Sequence, residues 1–382
     1  MEGHNCTTCP HLPLHVWTNY FLENIATPSF CVVGLLGNIV AIIILRNPRM
    51  KSTFHQSLIA LAACDIMFLS LILVDFAEDI LYPFYTIIFP YFINPMKNIL
   101  LCWETFLIMS ITTERYLAVC HPLIYRSHRL SHVPYIHLLT YILPSIFLAI
   151  ILNIPKFFET ELVLRNTTDD ENITRQVYDY AITPIRLNPD YVYYYTHLTR
   201  LFCTGIIPFF YLLFMNISIL INIRKSRLTS TKMLVLYTLP AAVQNRVLKN
   251  RRQSSKKFCV TLGAIVILYL VCNTPRLLLN FFDHFSSSLE LYDSCDCAVN
   301  PVELESFILV SHLFLTINSS VNFIIYFTVS KKFKKVVLAK VKFLIFKKSN
   351  RVRFEIEDSQ IRGEETTKLV DITTTIMGDT RL

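Results

Sequence analysis

Glu114-Arg115-Tyr116, with His121-Pro122-Leu123 close behind, closes an apolar stretch that begins near Asn94. An arginine at the mouth of a membrane helix is costly unless it is paired. Glu114 offers that pairing, and an ion pair that can be broken is a switch. The competing account is an anchored helix end with no switching role.

A second set of polar residues lies deeper in apolar sequence. Asp65 sits midway along one stretch, and Glu104 lies about three helical turns before Arg115 in the next. Asn38 belongs to the first stretch and Asn318, Ser319 and Asn322 to the last. Ionisable groups at such depth must face the interior of a bundle and find partners there. Together they suggest a polar core able to hold water and a cation such as sodium. Two carboxylates in one cavity repel unless one is protonated or a cation sits between them. A static network holding helices together is the alternative.

A third set is expected one to two turns nearer the outside. Asp75, Glu78, Asp79 and Lys97, with Arg200, Arg276 and Glu305, would ring a pocket opening outward. Lys97 and Asp75 could instead pair with each other. Acidic outer loops would draw a cationic ligand over roughly a Debye length, although single exposed acids are usually solvated surface.

Other chemistries find little support. The three histidines well inside apolar stretches, His137, His197 and His312, are isolated and lack metal-ligand spacing, so neither a metal site nor catalysis is expected. Seven glycines in 382 residues argue against a glycine-lined transport path or a nucleotide-binding loop. The basic segments are assigned to the inner membrane face and imply no nucleic acid partner.

These residues need a scaffold that crosses a membrane. The chain is 53% hydrophobic and 13% aromatic, with mean hydropathy +0.44, values that point to a polytopic membrane protein. Seven stretches reach the roughly 20 residues a span requires: 23–45, 56–82, 94–120, 134–155, 193–223, 257–283 and 305–328. The third is the most polar. The expected fold is an all-α seven-transmembrane helix bundle with a short amphipathic eighth helix. Pro208 and Pro275 would bend helices rather than end them, because neighbouring helices satisfy the freed carbonyls. The first residues lack signal-peptide features, so the first span is expected to serve as its own insertion signal.

Charge sets the orientation. The segment 224–257 has ten Lys or Arg and no acid, and 330–353 has ten more and none. The loop 156–192 carries seven acids against four bases, and 285–303 four acids and no base. The positive-inside rule then places the N-terminus outside and the C-terminus in the cytoplasm, in the plasma membrane. Glycosylation sequons at Asn5, Asn166 and Asn172 fall on the expected outer side.

The expected divisions are an extracellular N-terminus over 1–22, the bundle over 23–328, an amphipathic juxtamembrane helix over 329–348, and a disordered tail over 349–382. In 331–338, lysines face one side and apolar residues the other, which suits an anionic leaflet of membrane lipids. Beyond Glu355 the tail is polar and threonine-bearing, suited to phosphorylation.

Cys6, Cys9, Cys295 and Cys297 face the oxidising side and allow three pairings. Pairing within Cys6/Cys9 or Cys295/Cys297 would close very tight loops, which favours bridges from the N-terminus to the last outer loop. Free or locally paired thiols are the alternative.

With these residues in order, the chain resembles the rhodopsin-like G-protein-coupled receptors over its whole membrane part. The matching residues are Gly37-Asn38, Leu61-Ala62-Ala63-Cys64-Asp65, Glu114-Arg115-Tyr116 with Pro122-Leu123, Pro208, Cys272 with Pro275, and Asn322 with Tyr326. Within that class it is similar to invertebrate FMRFamide-type neuropeptide receptors. That likeness rests on Asn47-Pro48-Arg49-Met50-Lys51-Ser52, Asn153-Ile154-Pro155-Lys156-Phe157-Phe158-Glu159, Cys272-Asn273-Thr274-Pro275-Arg276 and Asn318-Ser319-Ser320-Val321-Asn322-Phe323.

The resemblance implies an extracellular amidated peptide with a basic, aromatic C-terminus, a heterotrimeric G protein, and arrestin and receptor kinase on the tail. It implies that Arg115 leaves Glu114 for Tyr326 and the Gα end when helix six swings about Pro275, with Leu123 packing on the same subunit. There are departures. Neither 84–97 nor 156–192 holds a cysteine, so the usual bridge to the third helix cannot form. Asn273, Phe323 and Asn216 stand where a tryptophan, a proline and a tyrosine are usual, and the fourth span lacks its tryptophan.

Alternatives within the fold divide on single residues. An amine receptor would carry an aspartate at the place of Lys97, and an opsin a lysine in 305–328, which has none. A chemosensory receptor for a small molecule stays open. An ion transporter or channel would use Asp65, Glu104 and Lys97 as a path, against the lack of internal repeats.

Overall fold

The computed structural model describes residues 13–48, 53–122, 125, 138–168, 174–229, 259–281, 301–330, 333–340 and 342. Among the described residues, five helices are long and apolar enough to cross a membrane: α1 (Trp17–Leu45), α2 (Phe54–Phe76), α4 (Thr140–Phe158), α5 (Pro189–Ile223) and α6 (Cys259–Phe281). A sixth such span is α7 (Pro301–Ser320) with its continuation Asn322–Val329, bent by 44°. The seventh helix is α3 (Asn94–Cys120). Its 27 residues reach about 40 Å, ample for a bilayer. Lys97, Glu104, Glu114 and Arg115 keep its composition below a purely apolar standard.

α3 stays helical despite those charges because it is covered. It packs on α2, α4 and α5, and buries Glu104, Glu114 and Thr112 as fully as Leu107 and Ile111. The outer helices show the reverse pattern. Val33, Leu36 and Ile43 of α1 and Phe210, Phe214 and Ile221 of α5 are exposed. Apolar groups outside and polar groups within suit a bundle surrounded by lipid.

α1 meets α7 at close range. A Cβ added to Gly34 would lie 2.4 Å from Ser320 Oγ and 2.8 Å from Ser320 Cα, so only glycine permits this approach. The Ser320 hydroxyl also donates to the Phe30 carbonyl at 2.9 Å and to the Thr316 carbonyl at 2.7 Å. The bend of α7 follows at once, at Val321, without the proline usual two residues later, where this chain has Phe323. Its local causes are the Ser320 bond back to Thr316 and the intrusion of Asn38, whose amide donates to the Ser319 carbonyl at 2.8 Å.

Between α4 and α5 the chain forms a hairpin of β1 (Thr160–Thr168) and β2 (Thr174–Ile182), paired antiparallel from Thr160 with Ile182 to Thr168 with Thr174. Helix is also found at both ends of the bundle. The first helix begins at Pro13, inside the stretch expected to be the extracellular N-terminus, and it is helical through to Leu45. Within the expected juxtamembrane helix, 333–340 is helical; this unit, α8, presents Lys334 and Lys335 outward and buries Phe333 and Val336.

Candidate functional site

The inner end of α3 carries the expected pair. Arg115 Nη2 donates to Glu114 Oε1 at 2.8 Å, and the same oxygen accepts from Tyr125 Oη at 3.0 Å. The guanidinium lies over the Phe54 ring, 4.5 Å from its centroid, so α2 holds the charge from a second side. Tyr116 packs edge-on against His121, with ring centroids 5.5 Å apart, and Pro122 follows directly. Tyr326 is fully buried on the α7 continuation. Leu123 lies outside the described residues.

The polar core joins α1, α2, α3 and α7 in fixed pairings. Asn322 donates to Asp65 Oδ2 at 2.7 Å, Asn318 donates to Glu104 Oε1, and Ser319 faces Glu104 Oε2 at 3.5 Å. Asn38 bridges the Gly34 carbonyl at 3.0 Å and the Ser319 carbonyl. All six residues are buried. Among the described residues, Asn38 Oδ1 and Asp65 Oδ1 are buried acceptors with no hydrogen-bond donor. Amide and carboxyl oxygens of this kind are the residues here that would hold a monovalent cation, which would supply only charge compensation. Among the described residues no group of three His, Cys, Asp or Glu suits a transition metal.

The outer residues are only partly gathered as expected. Asp75, Lys97, Arg200 and Arg276 line one cavity, and Asp75, Glu78, Asp79 and Lys97 line a second beside it. Glu305 is exposed on α7 and borders neither of these two cavities. Lys97 and Asp75 do pair, at 2.5 Å, and Asp75 also accepts from Tyr85 at 3.1 Å. Burial, with Asp75 and Asp79 nearby, raises the Glu78 carboxyl above its ordinary range despite Lys97.

Pro208 sits where the wider π winding of Val192–Ile206 gives way to regular α-helix, and Pro275 lies within α6. The residues at family-departure positions satisfy their own helices: Asn273 donates to the Tyr269 carbonyl at 3.0 Å and Asn216 to the Leu212 carbonyl at 2.8 Å. Other side chains carry the contacts between helices. Tyr211 meets Thr113 at 2.6 Å, Tyr269 donates to Thr105 at 3.0 Å, and Trp103 donates from α3 to Ser145 of α4 at 3.2 Å. The tryptophan missing from α4 thus has a counterpart across that interface.

The hairpin is fixed without the usual disulfide. Glu159, at the end of α4, accepts from Lys156 at 2.5 and 2.7 Å, from Arg186 at 2.6 Å and from Tyr191 at 2.9 Å. Burial alone would raise its carboxyl, but Lys156, Tyr191 and Arg186 outweigh that and hold it below the ordinary value. Thr183 closes the hairpin base by donating its hydroxyl to the Phe158 carbonyl and its N–H to the Glu159 carbonyl. Farther out, Tyr180 of β2 packs on Phe89 before α3, with ring centroids 4.5 Å apart, and Lys97 lies over the other partner of that stack, 5.5 Å from Phe89. Lys97 was read from sequence as part of the outer ring, and Lys156, Phe158 and Glu159 only as part of a family-like motif, none of them as an anchor of the hairpin. Lys156 and Glu159 at i and i+3 were the one available signal. Asn166 is exposed on β1, as its sequon requires, whereas Asn5, Asn172, Cys6, Cys9, Cys295 and Cys297 lie outside the described residues.

Residues 37–326 match the family described as the 7 transmembrane receptor (rhodopsin family). The chain belongs to that family. As a member of it, the chain is a multi-pass membrane protein of a receptor family. Over 322 residues it is 28% identical to an FMRFamide receptor of Drosophila melanogaster, covering 80% of this chain and 51% of that protein. Over 320 residues it is 25% identical to an FMRFamide peptide receptor of Caenorhabditis elegans, covering 80% of this chain and 66% of the other. The chain thus spans about half the length of the first relative and just under two thirds of the second.

Proposed function

We propose that this receptor binds a short amidated FMRFamide-like peptide at its outer face and passes the signal to a heterotrimeric G protein at its inner face. Its N-terminus is outside and its C-terminus cytoplasmic, at the plasma membrane, in keeping with the charge asymmetry of its loops. The observation that carries the reading is the continuity of α3. One helix bears Lys97 at the outer cavities, Glu104 in the polar core and Arg115 at the inner switch.

A ligand shifts an equilibrium only by its differential affinity for the two states. At rest Arg115 stays with Glu114 and Tyr269 ties α6 to α3. On activation α6 swings outward about Pro275, and Arg115 turns to Tyr326 and the inserted Gα end, with Leu123 against the same subunit. Asp65 and Asn38 would hold a sodium ion in the polar core, where it would supply charge compensation. The phosphorylated tail recruits receptor kinase and arrestin, and the 333–340 helix lies on membrane lipid.

The test is expression of the full chain with a promiscuous Gα and a calcium readout under a panel of amidated peptides. A response to FMRFamide-type peptides is expected. Silence across them, with a response to an amine or odorant, overturns the ligand assignment.

A further inference from the structure

The two outer cavities carry opposite charge. The one nearer the surface, about 370 Å³, is bordered by Glu23, Asp75, Glu78 and Asp79, with Lys97 the one cation in its lining. The deeper one, about 360 Å³, is bordered by Lys97, Arg200 and Arg276, with Asp75 the one acid. Asp75 is already committed to Lys97 and Tyr85. That leaves two guanidinium groups facing the deeper cavity.

Arg200 donates to Asn98 Oδ1, and among the described residues neither arginine is ion-paired with a carboxylate. Each guanidinium has five N–H donors in a planar fork, matched to a carbonyl or carboxylate. Both side chains are partly exposed, and the cavity they border gives their donors room to meet an acceptor. Each cavity is at the small end for a ligand pocket, so one holds a fragment and a peptide must span both.

We propose that the deeper cavity takes an acceptor-oxygen group of the ligand, bound by Arg200 and Arg276, while the ligand's own cation stays outside with Glu78 and Asp79. This rests on the peptide-receptor reading and adds a direction of insertion to it. The acceptor is either the carbonyl of an amidated C-terminus or an acidic carboxylate. A cation placed in the deeper cavity would face two arginines.

The test is thermal melting of the purified full chain in detergent with small probes at millimolar concentration. N-acetyl-phenylalaninamide supplies a neutral carbonyl, N-acetyl-phenylalanine a carboxylate, and phenethylamine a cation. Carbonyl or carboxylate binding is expected to raise Tm by about 2–4 °C. Arg276→Gln and Arg200→Gln should remove that shift, and Arg276→Lys should keep part of it, which separates lost recognition from lost folding. A shift with the amide assigns the acceptor to an amidated end, and a shift with the carboxylate alone assigns it to an acidic group. Both support the proposal. No shift from either, or one that survives the double substitution, overturns it. Because melting needs no signalling, silence to FMRFamide-type peptides in cells would remove the ligand assignment and leave this result standing.

Discussion

The Tyr269 hydroxyl of α6 donates to Thr105 Oγ1 of α3 at 3.0 Å, while Thr105 donates to the Leu101 carbonyl behind it. The proposed swing of α6 must part this bond. A neutral buried hydrogen bond contributes about 0.5–1.5 kcal/mol. Tyr269→Phe should therefore raise basal G-protein signalling about two- to tenfold at equal surface expression. Unchanged basal signalling would remove Tyr269 from the resting lock.

At the inner end, Glu114→Gln weakens the hold on Arg115 and should likewise raise basal signalling. Arg115→Ala should abolish the peptide response while leaving surface expression intact. Arg115→Lys should not restore it, because a lysine cannot reproduce the guanidinium stacked 4.5 Å from the Phe54 ring. A full response from Arg115→Ala would sink the switch.

Glu159 makes the outer hairpin a pH-dependent but redox-independent structure. Its carboxyl is held below the ordinary value, so its stabilisation is complete above about pH 4.3, the unfolded value. That contribution is lost as pH falls through the lower folded value. Hydrogen exchange in 160–182 should stay slow from neutral pH to about pH 5 and quicken only in stronger acid. Glu159→Gln should quicken it at neutral pH, since removing one partner of a buried charge cluster costs about 3–5 kcal/mol, and the difference should fade in acid strong enough to protonate Glu159. Dithiothreitol should leave it unchanged, because the segment has no cysteine.

Two helical glycines should respond oppositely to alanine. At Gly34 the new Cβ meets Ser320 at 2.4 and 2.8 Å, and part of that contact is backbone. Gly34→Ala should lower Tm and surface expression. Nothing lies within 4 Å of a Cβ at Gly263, so Gly263→Ala should raise stability by about 0.5–1 kcal/mol. Melting of both variants in detergent checks the pair.

The sequence made the helices legible through long apolar runs, and Glu114-Arg115 through its place at the end of one. α3 was the hardest to read by hydropathy because Glu104 and Glu114 are buried by neighbours that no local window contains. Asp65, Asn38 and Asn322 were found because a polar group deep in apolar sequence must have partners. The outer ring was assigned by depth along the helices, and depth does not give the face a side chain occupies: Glu305 is exposed and borders neither charged cavity. The hairpin went unread because its anchors, Glu159 with Arg186 and Phe89 with Tyr180, are distant in sequence. The two charged cavities follow from which neighbours share Asp75 and Lys97, which charge counts along the chain do not contain.

The polar load of α3 bears on how the protein is made. Each charged group at mid-membrane costs about 2.5–3.5 kcal/mol for a helix entering alone. Glu104 escapes that cost only once Asn318 of α7 has arrived. A nascent chain ending after Cys120 therefore lacks what settles its third helix, and the translocon must shelter α3 until the last helix emerges. Biogenesis is thus committed late, at the step that also joins Glu104 of α3 to α7.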